Sequence, residues 1–313
     1  MSSPTHSYLK VSYDLRPAKQ VERRMLIDAL HRLNSAGFPI TDYQYTGFGS
    51  IYFVDFIMFH KLLGIDKLLS VEYDLKIENR VKFNIPFKGI DVVMAPIGDV
   101  IPTLAKDEKH ILWLDYDSII KREQLSAVAQ ATSDLSPGSI LLVTVDVESP
   151  DGAGPAEWRA YFEAEVGDYL GEKNSNSDYS KSKLPLLNGH IIEQAIKQGL
   201  VGRGNVTFEP LFNFLYKDGH EMLTVGGMLV TPTERRKLRG ASLDETLYHR
   251  TSLSHNPYMI RVPKLTRKER LYLDGAMPCA DGWLPEEFEL SQEDVAAYRE
   301  IYRFCPAYAE LLL

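Results

Sequence analysis

The sequence predicts an α/β protein built on an open, doubly wound, mostly parallel seven-stranded sheet that ends in an antiparallel hairpin, with a helix before it and a helical extension after it. Three observations predict this class. From residue 41 onward, short β-like runs alternate with helical ones, as in consecutive βαβ units. Two of these runs, "HILWL" at 110–114 and "SILLVTV" at 139–145, are apolar almost without a break, which fits strands covered on both faces. Two later β-like runs flank Asp218-Gly219, a dipeptide suited to a hairpin turn.

The segment "DLRPAKQVERRMLIDALHRLNSAG" reads as the first helix. Pro17 suits its first turn, Val21, Met25, Ile27, Leu30 and Leu33 recur near helical spacing, and Gly37 stops it. Its other face carries Arg16, Lys19, Arg23, Arg24 and Arg32. The plain expectation is a solvated face paired with nearby acids. The sharper one is that Arg16 or Lys19, close to the start of the first strand, holds a carboxylate or phosphate.

The strands then follow in order. "DYQYTG" leads to a helix across Ile51 to Leu63, "KLLSVEYD" to a helical "LKIENRVKFN", and "IDVVMAPIGD" to a helical "VIPTLAKD". "HILWLDYD" leads to the helical "REQLSAVAQATSDL" and on to "GSILLVTVDV". Residues 150–184 are rich in turn formers and read as an insertion or mobile loop with little core. "LLNGHIIEQAIKQGL" is one helix or two short ones, and the hairpin follows within 205–231. "TERRKLRG" reads as a solvated surface element, and the tail holds two helical segments whose Tyr298, Ile301, Tyr302 and Tyr308 are placed to pack back.

Composition narrows the classes of partner. The chain has 313 residues, 35 Lys and Arg against 43 Asp and Glu, and a formal net charge of -8, so its overall field repels a phosphate backbone and disfavours long nucleic acid. The N-terminal residues do not form a secretory signal, and no apolar run approaches the roughly 20 residues of a membrane helix, so a cytoplasmic location with no membrane partner is expected. Cys279 and Cys305 are too few and too far apart for a disulfide framework or a zinc site.

In a doubly wound sheet, ligands sit beyond the carboxyl ends of the strands, which makes each strand's last residues candidates for a site. Alone, "GFGS" is a weak signal, because Phe53 stands near the place of the third glycine of a dinucleotide fingerprint. The neighbouring strand ends strengthen it. Glu72 can accept both hydroxyls of an adenosine ribose, and Asp99 can accept from the amine of an adenine that Gly98 lets approach. Asp115, Tyr116 and Asp117 end the fourth strand at the same edge.

"YTGFGS", "SVEYD", "PIGD", "LDYD" and the "LYKDGHEMLTVGGMLV" hairpin together resemble the class I S-adenosylmethionine-dependent methyltransferases, over about Tyr43 to Thr231. The resemblance implies a methyltransferase domain at 41–232 with an insertion near 150–184, flanked by extensions at 1–40 and 233–313. It implies S-adenosylmethionine as cofactor, bordered by Thr46, Gly47, Phe48, Gly49 and Ser50, with Glu72 and Tyr73 at the ribose. Gly98 and Asp99 would meet adenine, and Asp115 the methionine amine or the reacting methyl. The chain departs from the family pattern in having no further Gly after Ser50 and in placing Tyr45 and Thr46 where an acid usually stands.

Asp115, Tyr116 and Asp117 are the catalytic candidates, with His190 and His220 as further acid-base groups whose ordinary reading is structural. No "NPPY"-like motif is present, and "LDYD" is closer to O-methyltransferases. Some of these hold a divalent metal, for which Asp115, Asp117 and Asp146 are the available acids. "TVDVES" lacks the Asp-Asn pair of that group, so a metal is not favoured. A small molecule, a nucleotide or a protein is the expected acceptor. The alternative is a non-catalytic adenosyl-cofactor or nucleotide-binding module, working as a partner subunit.

Overall fold

A computed structural model describes residues 16–171 and 175–306, which leaves Tyr308 and residues 172–174 outside the description. Eight strands form one sheet: β1 (Gln44–Gly47), β2 (Lys67–Glu72), β3 (Ile90–Met94), β4 (His110–Ile119), β5 (Ile140–Asp146), β6 (Thr207–Asp218), β7 (His220–Val230) and β8 (Tyr258–Ile260). Their order is β3-β2-β1-β4-β5-β7-β6-β8. β7 runs antiparallel to both β5 and β6, and the other neighbouring pairs are parallel. The reversed hairpin turns at Gly219, whose φ of 107° suits a residue without a Cβ.

Both faces of the sheet are covered, as the unbroken apolar runs predict. Ile111 and Trp113 of β4 join Ile140 and Leu142 of β5 in a core on one face. Leu112, Leu114, Leu141, Val143 and Val145 point into a second core on the other. The period of two along each strand divides one apolar run between two helical layers. Helices α1 (Pro17–Ser35), α2 (Val54–Leu63) and α3 (Glu78–Phe83) contribute to the first core, and α4 (Ile97–Val100), α5 (Arg122–Asp134), α6 (Pro155–Val166) and α7 (Leu184–Gly199) to the second.

Several elements depart from the sequence expectation. The eighth strand comes from the tail and pairs with β6; three residues between Pro257 and Pro263 are too short a run to show alternation. The tail otherwise carries helices α8 (Pro232–Leu238), α9 (Arg267–Ala276) and α10 (Gln292–Ile301). The 150–184 segment is richer in core than expected, because Phe162, Val166, Tyr169 and Tyr179 all bury into the second core. α7 is one helix. Its Gly189 marks a close approach rather than a break, since a Cβ there would lie 2.0 Å from the Leu253 carbonyl oxygen.

The largest departure is α1. Lys19 and Glu22 have no exposed surface and Arg23 is 2% exposed, so the expected solvated basic face lies partly inside the protein. The hairpin helps dock this helix, because the Ala18 and Lys19 N–H groups donate to the two oxygens of Asp218 at 3.1 and 2.8 Å. A carboxylate at this position satisfies first-turn donors and complements the helix dipole.

Candidate functional site

The glycine turn joins β1 to α2 and is pinned to the end of β2. Gly49 N–H donates to Ser70 Oγ at 3.2 Å, and Ser50 N–H donates to Glu72 Oε1 at 2.5 Å. Ser50 and Phe53 both adopt φ of 51°, so the loop curls for longer than expected and α2 begins at Val54 rather than at Ile51. A Cβ on Gly49 would lie 2.5 Å from Ser70 Oγ and 2.9 Å from the Phe53 ring. Gly49→Ala is therefore expected to displace the loop and to lower stability by about 1–3 kcal/mol, the usual cost of overpacking, which urea unfolding would measure.

Glu72 sits half-buried under this loop. Burial pushes its carboxyl up to about 7, against the opposing pull of the Ser50 and Gly49 N–H groups. Tyr73 beside it is 77% exposed. Gly98 and Asp99 lie on the first turn after β3, both exposed, and a Cβ on Gly98 would meet no atom within 4 Å. Thr46, at the end of β1, is fully buried, and its hydroxyl has no hydrogen-bond partner among the described residues. The Tyr116 hydroxyl is in the same state, and its ring packs 5.4 Å from that of Phe48.

β4 continues to Ile119 instead of ending at its acids, with an irregular register against β5 between Asp115 and Ile119. That irregularity separates the three candidates. Asp115 turns inward, Tyr116 packs on Phe48, and Asp117 is exposed with no ion-pair partner among the described residues.

Asp115 is held by a residue of α1. Lys19 Nζ lies 2.9 Å from Asp115 Oδ1 and 2.8 Å from Glu22 Oε2, with the Trp113 ring centroid 4.3 Å away. Burial pulls the Lys19 ammonium down, but Asp115 and Glu22 outweigh it and raise its pKa above the ordinary lysine value. For Asp115, burial pushes up, while Lys19, Arg16 and Arg23 pull harder and keep the carboxyl below the usual range. The charges extend outward, since Arg23 Nε donates to Asp55 Oδ1 of α2 at 2.5 Å. Trp113 Nε1 donates to Thr144 Oγ1 at 2.9 Å, and that hydroxyl lies 2.7 Å from Thr224 Oγ1. These contacts tie Trp113 of β4 to Thr144 of β5 and Thr224 of β7.

Lys19 pairs with acids of the protein itself, Asp115 and Glu22, as the plain expectation has it, but inside the protein rather than on a solvated face. Glu22 and Asp55 are not singled out by the sequence. The one available signal is the short spacing of Lys19, Glu22 and Arg23 among apolar residues of one helix.

The acids considered for a metal do not gather as proposed. Asp115 pairs with Lys19, and Asp146 lies instead with Glu148 and His220. His190 has the ordinary structural role, with Nε2 3.1 Å from the Leu170 carbonyl oxygen. The basic α8 is mostly exposed, and Arg235 pairs with Glu209 at 3.0 Å.

The sheet order, the reversed β7, and a glycine loop between β1 and α2 anchored on a β2 acid define a Rossmann-like protein of the class I methyltransferase fold. The chain belongs to the family described as "Putative O-methyltransferase", whose profile matches residues 11–313. Among solved structures, it is similar to Trm1 from Pyrococcus horikoshii in complex with S-adenosyl-L-methionine, at 14% identity over 74% of this chain and 60% of that chain, with a TM-score of 0.46. This chain thus spans less than two thirds of that protein's length. It is also similar to TYW2 from M. jannaschii in complex with AdoMet, at 12% identity over 72% of this chain and 80% of that chain, TM-score 0.40. A third is the O-methyltransferase TomG from Streptomyces achromogenes in complex with SAM, at 14% identity over 67% of this chain and 80% of that chain, TM-score 0.38. No curated protein matches the sequence.

Proposed function

We propose that the protein is an S-adenosylmethionine-dependent methyltransferase that methylates an oxygen of its acceptor. The observation that carries this reading is Glu72, a half-buried carboxylate at the end of β2 that grips the glycine loop at Ser50. The surrounding residues fit an adenosyl cofactor. Gly98 leaves open space where a flat base can lie, and Asp99 stands exposed beside it. The Thr46 and Tyr116 hydroxyls are buried donors without a hydrogen-bond partner among the described residues, a costly state that a ligand would relieve.

In this reading, Glu72 accepts the two ribose hydroxyls, and Tyr73 and Asp99 border the base. Gly47, Phe48, Gly49 and Ser50 line the methionine portion. When bound, the cofactor supplies a methyl group already activated by its sulfonium. Asp115, held ionised by Lys19, is a weak base and suits the methionine ammonium better than an acceptor proton. Asp117, exposed and with no ion-pair partner among the described residues, takes that proton in this reading. The net charge of -8 favours a small uncharged or cationic acceptor over long nucleic acid. The family description supports oxygen over nitrogen as the methylated atom.

Calorimetric titration with S-adenosylmethionine, S-adenosylhomocysteine and NAD tests the reading. The two adenosyl sulfur compounds are expected to bind and NAD is not; failure of both to bind removes the proposal. A labelled-methyl assay against fractionated extract then separates an enzyme from a binding module, since a module binds the cofactor but transfers no label.

A further inference from the structure

We propose that Asp146, Glu148 and His220 form a binding site for a divalent first-row transition-metal ion at the carboxyl edge of the sheet. The fold brings them together. β5 ends at Asp146, its antiparallel neighbour β7 begins at His220, and Asp146 pairs with Met222, two residues along from that histidine. Glu148 follows two residues after Asp146, and its N–H donates back to Asp146 Oδ1 at 2.8 Å.

One ligand atom from each residue lies within 4.8 Å of the others. His220 Nδ1 is 2.8 Å from Asp146 Oδ2 and 3.5 Å from Glu148 Oε2. Ligands roughly 2.0–2.2 Å from a shared ion sit roughly 3–3.5 Å apart in octahedral or tetrahedral geometry, so the trio needs little movement to close on one. The second oxygen of each carboxylate is engaged elsewhere. Glu148 N–H holds Asp146 Oδ1, and Lys217 Nζ holds Glu148 Oε1 at 3.4 Å. Oδ2 and Oε2 are left turned toward the imidazole, and such outer contacts fix the direction of metal ligands.

Charge supports the same conclusion. Two carboxylates face one imidazole nitrogen, Asp146 being only 10% exposed, and Lys217 stands on the far side of Glu148. A divalent cation balances that charge. The imidazole with two carboxylates suits Mn2+, Co2+, Fe2+ or Zn2+ better than Mg2+ or Ca2+, which prefer all-oxygen shells. Three protein ligands leave positions open on the exposed side of His220 for water or an acceptor oxygen. The site does not depend on the cofactor reading.

The test is titration of the untagged, chelator-stripped full chain with Mn2+, following the free-ion signal by electron paramagnetic resonance, with Zn2+ competition and a thermal shift as second readouts. One saturable equivalent is expected, weakened at least tenfold in His220→Ala and in Glu148→Gln. Lys82→Met, which breaks only an exposed ion pair on α3, should bind as tightly as the unmodified chain. His220 is 71% exposed, so its replacement should leave the fold intact, which circular dichroism checks. Absence of saturable binding by both ions, or binding unchanged in His220→Ala, overturns the proposal and leaves the trio as an ion pair at the hairpin tip.

Discussion

Replacing Glu72 with glutamine is expected to weaken S-adenosylmethionine binding roughly 100-fold, while raising the stability of the ligand-free protein at alkaline pH. Two hydrogen bonds to a charged acceptor at about 1.5 kcal/mol each give about 3 kcal/mol, or roughly two decades in Kd. The stability effect has the opposite sign. Burial raises the folded-state carboxyl from 4.5 to about 7. Its contribution to stability is therefore complete below the unfolded value near 4.5 and is lost as pH rises through about 7, where a buried charge must form. Glutamine forms no such charge, so the variant should melt higher than the unmodified protein at pH 8 and show no such gain at pH 4.

The same ionisation predicts how binding depends on pH. The ionised carboxylate is the better acceptor of two hydroxyl donors, so the affinity of the unmodified protein should rise about tenfold between pH 6 and pH 8 and flatten beyond, as expected for a group titrating near 7. Glu72→Gln should lose this dependence. Calorimetry at four or five pH values checks both statements; a flat profile in the unmodified protein would sink the assignment of Glu72.

Lys19→Met is the second large effect. The substitution leaves Asp115 and Glu22 facing each other's charge without the ammonium that lies 2.9 and 2.8 Å from them. Removing one partner of a buried ion pair costs about 3–5 kcal/mol, because the remaining charge stays desolvated. Combining it with Asp115→Asn should recover part of that loss, so the double variant is expected to be more stable than the sum of the single effects allows. Urea unfolding of the four proteins measures the coupling. A cost under about 1 kcal/mol for Lys19→Met would show that α1 docks through its apolar residues alone.

Most of the sheet was legible in the sequence. Unbroken apolar runs at β4 and β5, helical runs between strands, and Asp218-Gly219 at a turn are local signals, and the order of strand-end residues carries the resemblance to the class I methyltransferases. β8 and the burial of Phe162, Val166, Tyr169 and Tyr179 were not legible, because a three-residue strand carries no period and scattered apolar residues do not show which core they join. The bulge after Asp115 escaped for a related reason: "LDYD" reads as a strand end, and only its pairing with β5 shows that β4 continues.

The candidate site divides along the same line. The Gly47 to Ser50 loop, Glu72 and Gly98-Asp99 follow from short stretches whose role depends on where a strand ends, and such stretches can be read one at a time. Lys19 binds a carboxylate 96 residues away, and His220 one 74 residues away. By itself, the sequence determined the class of fold and most of the residues that end its parallel strands, because hydrophobic periodicity and turn chemistry act over a few residues. Only the tertiary structure decided that Lys19 is a buried counter-ion rather than a solvated charge, and that Asp146 stands with His220 rather than with Asp115. Whether a charge is exposed, and which group it meets, depends on elements far apart in the chain.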